Sequence, residues 1–177
     1  LSSPEKLKVY FQDEGRFGRM SNPASCWAPY PLRPQLPLQR VREYTYVYSA
    51  ICPENGDVFS LILPYSDADA MQVFMTEFAE HLDGQPALLI MDQAPWHKSD
   101  KVKTPESILM AYQPPYSPEL NPVEHFWEHL REKYISNRYW KSMDELEEAL
   151  VAALQECIRQ RETIKSLTLF DWMVYDR

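Results

Sequence analysis

"ALLIMD", residues 87–92, is a short apolar run that stops on an acid. Apolar residues without alternation mark a strand covered on both faces, as in the parallel part of an α/β sheet. Such a strand delivers its end residue to the sheet edge, where open α/β folds place ligands. The same pattern occurs earlier in "LKVYFQD", residues 7–13, which ends at Asp13. If the two strands are neighbours, Asp13 and Asp92 meet at one edge. The 78 residues between them have room for a hairpin and a helix.

Outward from these two strands, "YTYVYSAIC" (44–52) and "DVFSLIL" (57–63) are rich in β-formers, and "PENG" between them reads as a hairpin turn. Residues 15–43, with five prolines from Pro23 to Pro37, predict a long Pro-rich loop of the kind that is functional or mobile. Ser66 is placed to cap a helix running to about His81, with Gly84 beyond its end. "ILMAY" (108–112) is a further buried strand, and a helix starts at Pro122. Ser142 and Glu145 form a capping box before an apolar stripe at helical spacing, and a last helical segment is expected near 163–174. Five strands in this order predict a mixed sheet in an α/β domain. The first three form an antiparallel meander, the later ones pair in parallel, and helices cover the faces.

Composition bounds the function. The chain has 177 residues, 45% of them hydrophobic, which is one domain with a real core. No apolar run approaches the roughly 20 residues of a membrane-spanning helix, and no signal peptide is visible. Cys26, Cys52 and Cys157 are scattered without metal spacing and read as reduced cysteines. The net charge of -8 argues against non-specific nucleic-acid binding by the whole surface, but the charge is uneven. Residues 1–50 carry +3 and residues 51–150 carry -11, so a nucleic-acid path along the first fifty residues stays open.

A third acid, Glu124, is separated from Asp92 by 31 intervening residues, at a helix start that can return to the same edge. Three converging carboxylates repel one another, and hard divalent cations relieve this. Two such ions roughly 4 Å apart activate a water and stabilise the leaving oxygen in phosphodiester cleavage. Plainer readings exist for each acid. Asp13 before Glu14-Gly15 could form a turn, and Asp92 could begin an Asx turn. Asn121 as N-cap, Pro122 at N1 and Glu124 at N3 make a capping-box-like helix start.

The same helix contains His125-Phe126-Trp127-Glu128-His129, an H-x-x-E-H string known from zinc proteases. With Glu124 at 0° on a helical wheel, Val123, Phe126, Trp127 and Leu130 fall at about 200–300°, the buried face. His125 and His129 fall at about 100° and 140°, on the expected wet side, where a zinc site would lack cover and a third ligand. His97, five residues after Asp92, is either a structural histidine or one beside a reacting phosphate. Lys98, Lys101 and Lys103 suit a solvated loop or phosphate contacts. Trp27 and Trp96 read as loop anchors.

"FQDEGRFG" (11–18), "LIMDQAPWHKS" (89–99) and "YQPPYSPELNPVEHFWEHL" (112–130) resemble the three catalytic blocks of mariner-like DDE transposases, in their bacterial insertion-sequence branch. "CWAPYPLRP" (26–34) resembles that branch's Trp-Ala-Pro … Arg-Pro segment. The third block is the most specific, because Pro-Tyr-Ser-Pro-x-Leu-Asn-Pro-x-Glu is long and compositionally odd. Gln93 and Tyr30-Pro31 depart from the family's usual residues, and neither touches the acids.

The resemblance implies an RNase H-like fold in which Asp13, Asp92 and Glu124 are catalytic and hold two Mg²⁺ or Mn²⁺ ions. It implies hydrolysis at transposon ends, then attack of the freed 3′-OH on target DNA, with insertion at TA typical. Expected DNA contacts are Arg16, Arg33, His97, Lys98, Lys101 and Lys103. Expected partners are terminal-repeat and target DNA and a second copy of the chain, in the bacterial cytoplasm at the nucleoid. Residues 1–177 read as one catalytic domain, and the helix-turn-helix region that reads terminal repeats is expected outside this stretch, in cis or as a separate chain. Two alternatives remain: a catalytically silent DNA-binding or assembly module derived from a transposase, and a zinc hydrolase using His125, Glu128 and His129.

Overall fold

The computed structural model describes residues 7–21 and 23–174. Its elements are β1 (Lys8–Met20), β2 (Arg40–Cys52), β3 (Asp57–Leu63), α1 (Ala68–His81), β4 (Ala87–Met91), β5 (Ile108–Tyr112), α2 (Val123–Leu130), α3 (Met143–Arg159) and α4 (Arg161–Thr168). The strands form one sheet in the order β3-β2-β1-β4-β5. β1, β2 and β3 pair antiparallel, and β4 lies parallel to both β1 and β5. This is the expected mixed sheet, with β1 at its centre.

Alternation along β1 and β2 divides the core in two. Phe11, Phe17, Val47 and Ile51 point to one face, where they pack with Phe126, Trp127, Leu150 and Ile164 of α2, α3 and α4. Tyr10, Tyr48 and Ala50 point to the other, against Met71, Phe74 and Phe78 of α1. Both faces of the sheet are therefore covered, which is why β4 reads as an unbroken apolar run. Among the described residues no helix is long and apolar enough to cross a membrane.

Several boundaries differ from the sequence expectation. β1 does not end at Asp13; it continues to Met20, paired with β2, so the Pro-rich loop spans 21–39 rather than 15–43. Gly15 and Gly18 suggest a break, but here they make room for rings. An added Cβ at Gly15 would lie 3.0 Å from the Trp127 indole, and one at Gly18 would lie 2.5 Å from the Glu43 carbonyl, beside the Tyr44 ring. Asp67, not Ser66, caps α1, its carboxylate accepting from Ala70 N–H at 2.8 Å. Ser142 caps α3 as expected by accepting from Glu145 N–H, while the Glu145 carboxylate reaches Lys141 N–H, one residue earlier than in a capping box. α2 runs into a π-helical turn, Arg131–Ile135, which was not foreseen. The last expected helix is α4 followed by a 3₁₀ turn at Asp171–Met173.

Candidate active site

The parallel register of β1 and β4 positions the first two acids. The ladder ends where Phe11 pairs with Ile90, and continuing that register by two residues brings Asp13 and Asp92 to the same end of the two strands. Neighbouring strands are about 4.8 Å apart. Asp92 lies one residue past β4, as expected, whereas Asp13 lies within β1, opposite Ser49 of β2.

Asn121 places the third acid. It is buried, its Nδ2 donates to the Gln12 carbonyl at 3.1 Å, and its Oδ1 accepts from Val123 N–H at 3.2 Å. One side chain thus caps the start of α2 and ties it to β1 one residue before Asp13. The reciprocal half of a capping box is missing, because Asn121 N–H donates to the Pro118 carbonyl. No hydrogen bond from the Glu124 carboxylate is found among the described residues. Asp13, Asp92, Glu124 and Asn121 line one cleft of about 490 Å³, walled by the segment from Gln113 to Pro118.

The acids sit in different electrostatic settings. Asp13 is pushed up to about 7 by burial and by the charges of Glu14 and Glu124, against a hydrogen bond of 2.8 Å donated by Trp127 Nε1 to its Oδ2. Asp92 is held below the usual carboxylate range by His97 Nδ1 at 2.8 Å and by Ala94 N–H at 2.9 Å, the latter completing the Asx turn. The other ring nitrogen of His97, Nε2, lies 2.8 Å from Glu14 Oε1. Burial alone would lower the imidazole, but the bonds to Asp92 and Glu14 raise it to about 10.

Glu14 escaped the sequence reading. It points to the sheet face opposite Asp13, its side chain is 7% exposed, and Gln12 Nε2 donates to it at 3.1 Å. The available signal was the period-2 alternation itself. A strand that continues past Asp13 must turn Glu14 to the α1 side, where His97 lies.

The remaining candidates are spread out. His97 is wholly buried between the carboxylates of Asp92 and Glu14 and presents no open surface of its own. Lys98 is exposed, donating to Gln93 Oε1 at 2.6 Å with its ammonium over the Tyr112 ring. Gln93 in turn donates to the Gln113 carbonyl and so braces the cleft wall. Lys101 and Lys103 are exposed at some remove, Lys101 near Asp69 and Lys103 joined through its backbone to Gln72, and Arg33 is exposed in the Pro-rich loop. Arg16 is exposed over the Tyr44 ring. Trp96 packs against the α1-side core as an anchor, but Trp27 is fully exposed and anchors nothing.

On α2, His125 is exposed and hydrogen-bonds through Nδ1 to the Leu167 carbonyl at 3.1 Å. His129 is half-buried against Tyr134 rather than wet, because the π turn folds back beside it. Among the described residues no group of three or more His, Cys, Asp or Glu side chains is close enough together to hold a metal ion, so Asp13, Asp92 and Glu124 share a cleft without forming a pre-assembled ion site. The cleft instead offers separated carboxylates, an all-oxygen donor set. That suits a cation which keeps its waters and binds through one or two carboxylates plus substrate phosphate. Asp13 is raised first by burial and then by the charges of Glu14 and Glu124, so its ionised form is the one a cation would favour.

Comparisons with known proteins agree with this architecture. The family model described as DDE superfamily endonuclease matches residues 8–147. The chain is 40% identical over 130 residues to the uncharacterized protein y4pE/y4sA of Sinorhizobium fredii (strain NBRC 101917 / NGR234), covering 73% of this chain and 96% of that one. In fold it resembles the catalytic domain of Mos1 mariner transposase, with TM-score 0.60, 12% identity, 92% of this chain and 79% of that one. It also resembles the transposase of the Mos1 strand transfer complex, with TM-score 0.61, 12% identity, 96% of this chain and 56% of that one. It thus spans a little over half the length of the Mos1 chains in such complexes. The mixed sheet and flanking helices are those of RNase H-like transposase and integrase catalytic domains, and the chain belongs to the DDE superfamily endonuclease family.

Proposed function

We propose that this chain is the catalytic domain of a DNA transposase, with Asp13, Asp92 and Glu124 as its catalytic triad. The observation that carries this reading is Glu124. Its helix start is already capped by Asn121, its carboxylate carries no hydrogen bond among the described residues, and it lines one cleft with Asp13 and Asp92. The three carboxylates would hold two Mg²⁺ or Mn²⁺ ions, which when bound activate the attacking oxygen and stabilise the leaving one. Mos1 mariner paired-end complexes with Mn and with Mg support that cofactor class. Trp127 and Asn121 fix the directions of Asp13 and Glu124, and His97 fixes Asp92. In the first reaction a water oxygen displaces the 3′ oxygen at a transposon end, leaving a 3′-OH and a 5′-phosphate. In the second that 3′-OH attacks a target phosphodiester, and the displaced 3′ oxygen takes a proton.

Insertion at TA, a homodimeric active complex, action at the bacterial nucleoid and a separate helix-turn-helix reader, in cis or on another chain, belong to the same proposal. The greater length of the Mos1 chains supports the reader. Residues 1–177 act as one catalytic unit within it. The test is single-turnover cleavage of a transposon-end duplex with the reader restored. Glu124→Gln should keep its circular dichroism and melting temperature but lose Mg²⁺-dependent cleavage by at least two to three orders of magnitude, the share expected if metal positioning supplies several kcal/mol. Normal cleavage by Glu124→Gln would sink the reading.

A further inference from the structure

Beyond Asp13, the end of β1 and the turn after α2 line a second groove, of about 190 Å³. Arg16, Arg131 and Arg138 line it, and no acidic side chain does. Each guanidinium is laid over a ring: Arg16 over Tyr44 at 4.6 Å, Arg131 over Phe17 at 5.2 Å and Arg138 over Trp140 at 5.8 Å. None of the three pairs with a carboxylate among the described residues. Glu43, whose carbonyl lies beside Gly18, is already held by Arg19 at 2.6 Å, and Arg19 also donates to the carbonyls of Trp140 and Lys141. Three unpaired arginines in one groove stand out on a chain of net charge -8.

The backbone is shaped for this arrangement. The register of β1 on β2 slips between Gly18 and Met20. Gly18 leaves the space that the Tyr44 ring occupies, and that ring carries Arg16. The π turn, closed by Ser136 N–H donating to the Arg131 carbonyl at 2.7 Å, brings Arg131 to one wall and leads directly to Arg138. π turns inserted in helices concentrate at functional sites. A guanidinium stacked on a ring keeps its N–H edge free and loses little freedom on binding, and its planar fork matches phosphate oxygens.

We infer that the Arg16–Arg131–Arg138 groove binds DNA backbone phosphates flanking the bond cut in the carboxylate cleft. Arg16 is three residues from Asp13 on the same strand, about 10 Å at 3.3 Å per residue. That distance equals about three base-pair steps of 3.4 Å measured along the duplex axis. The groove therefore holds the strand near the cleft without touching the reacting phosphate. This inference rests on the transposase reading, so its test measures binding and not cleavage.

The test is fluorescence anisotropy of the chain with a labelled duplex of arbitrary sequence, over a series of salt concentrations. Arg16→Gln, Arg131→Gln and Arg138→Gln should each weaken binding equally for unrelated sequences. Each should reduce the slope of log K against log salt by about 0.9, and the triple variant by about 2–3. Arg159→Gln, at the exposed end of α3, serves as control and should leave both quantities unchanged. Gln removes the charge while keeping a polar side chain with part of the aliphatic stem, and melting curves check that each variant folds. The inference is overturned if the triple variant binds like the wild type, if Arg159→Gln lowers the slope as much, or if the wild type shows no binding at low salt. Failure here with Glu124→Gln dead in cleavage removes the groove alone. Normal cleavage by Glu124→Gln removes the transposase reading whatever the arginines do.

Discussion

Replacing Asp13 by Asn should stabilise the metal-free protein while abolishing its proposed chemistry. Asp13 rises from 3.8 to about 7, through burial and the neighbouring charges of Glu14 and Glu124. At about 1.4 kcal/mol per tenfold change this rise corresponds to about 4 kcal/mol. The residue keeps partial solvent access, so screening reduces the figure to about 2–3 kcal/mol. The direction follows from proton linkage. The folded carboxyl holds its proton more tightly than the unfolded one, so stability falls as pH rises from about 4 to about 7, and the deficit is complete above that. Asn carries no charge and can still accept from Trp127 Nε1. The Asp13→Asn advantage should therefore be absent near pH 4, grow across that window and level off above pH 7. For a chain of this size, 2–3 kcal/mol is about 5–10 °C in melting temperature. Thermal melts in chelator-treated buffer from pH 4 to 8 measure it. Excess Mg²⁺ should then stabilise the wild type more than the variant, since ligand binding stabilises in proportion to its affinity. Equal melting of the two proteins at pH 8, or a less stable variant there, would refute the reasoning.

Other outcomes follow from the contacts around the cleft. His97→Ala should cost about 3–5 kcal/mol in urea unfolding, because it leaves the buried Glu14 carboxylate uncompensated; an unchanged midpoint would contradict the ion-pair geometry. Asn121→Ala should lose about 1 kcal/mol of helix capping in the same assay. Its cleavage rate should fall by tenfold or more, since a displacement of the order of 1 Å at a catalytic group can cost a hundredfold. A cleavage loss no larger than the stability loss implies would remove Asn121 from the positioning role.

Much of this was legible in the sequence because the signals were local. β4 is an unbroken apolar run, Ser142 and Glu145 announce α3, and Asn121-Pro122 announce α2, whereas β5, expected to be buried, is an edge strand with only Ile108 buried and Leu109 exposed. What escaped depended on contacts between distant segments. Glycine after an acid reads as a turn, yet Gly15 and Gly18 continue β1 because Trp127 and Tyr44 fill the space beside them, more than a hundred residues away in the first case. The consequence propagates: once β1 extends, Glu14 faces α1 and His97 gains a buried partner that the sequence did not announce. The π turn is invisible to a helical wheel of fixed period, which is why His129 was expected in solvent and is half-buried instead.

The two strand-borne acids are managed in opposite ways. Asp92 hangs at a strand end and is steadied from the α1 side by His97, whose charge Glu14 balances, so Asp92 stays ionised without help from the cleft. Asp13 lies inside β1, on the α2 side, with only the Trp127 indole to steady it and Glu14 and Glu124 against it. Its charge is the one the fold tolerates worst. A cation entering the cleft gains most by meeting that charge, so apo-protein stability and cation affinity should be coupled through Asp13 far more than through Asp92. The pairing of β1 with β4 makes this division possible, because it brings two carboxylates to one cleft while their supports come from opposite faces of one sheet.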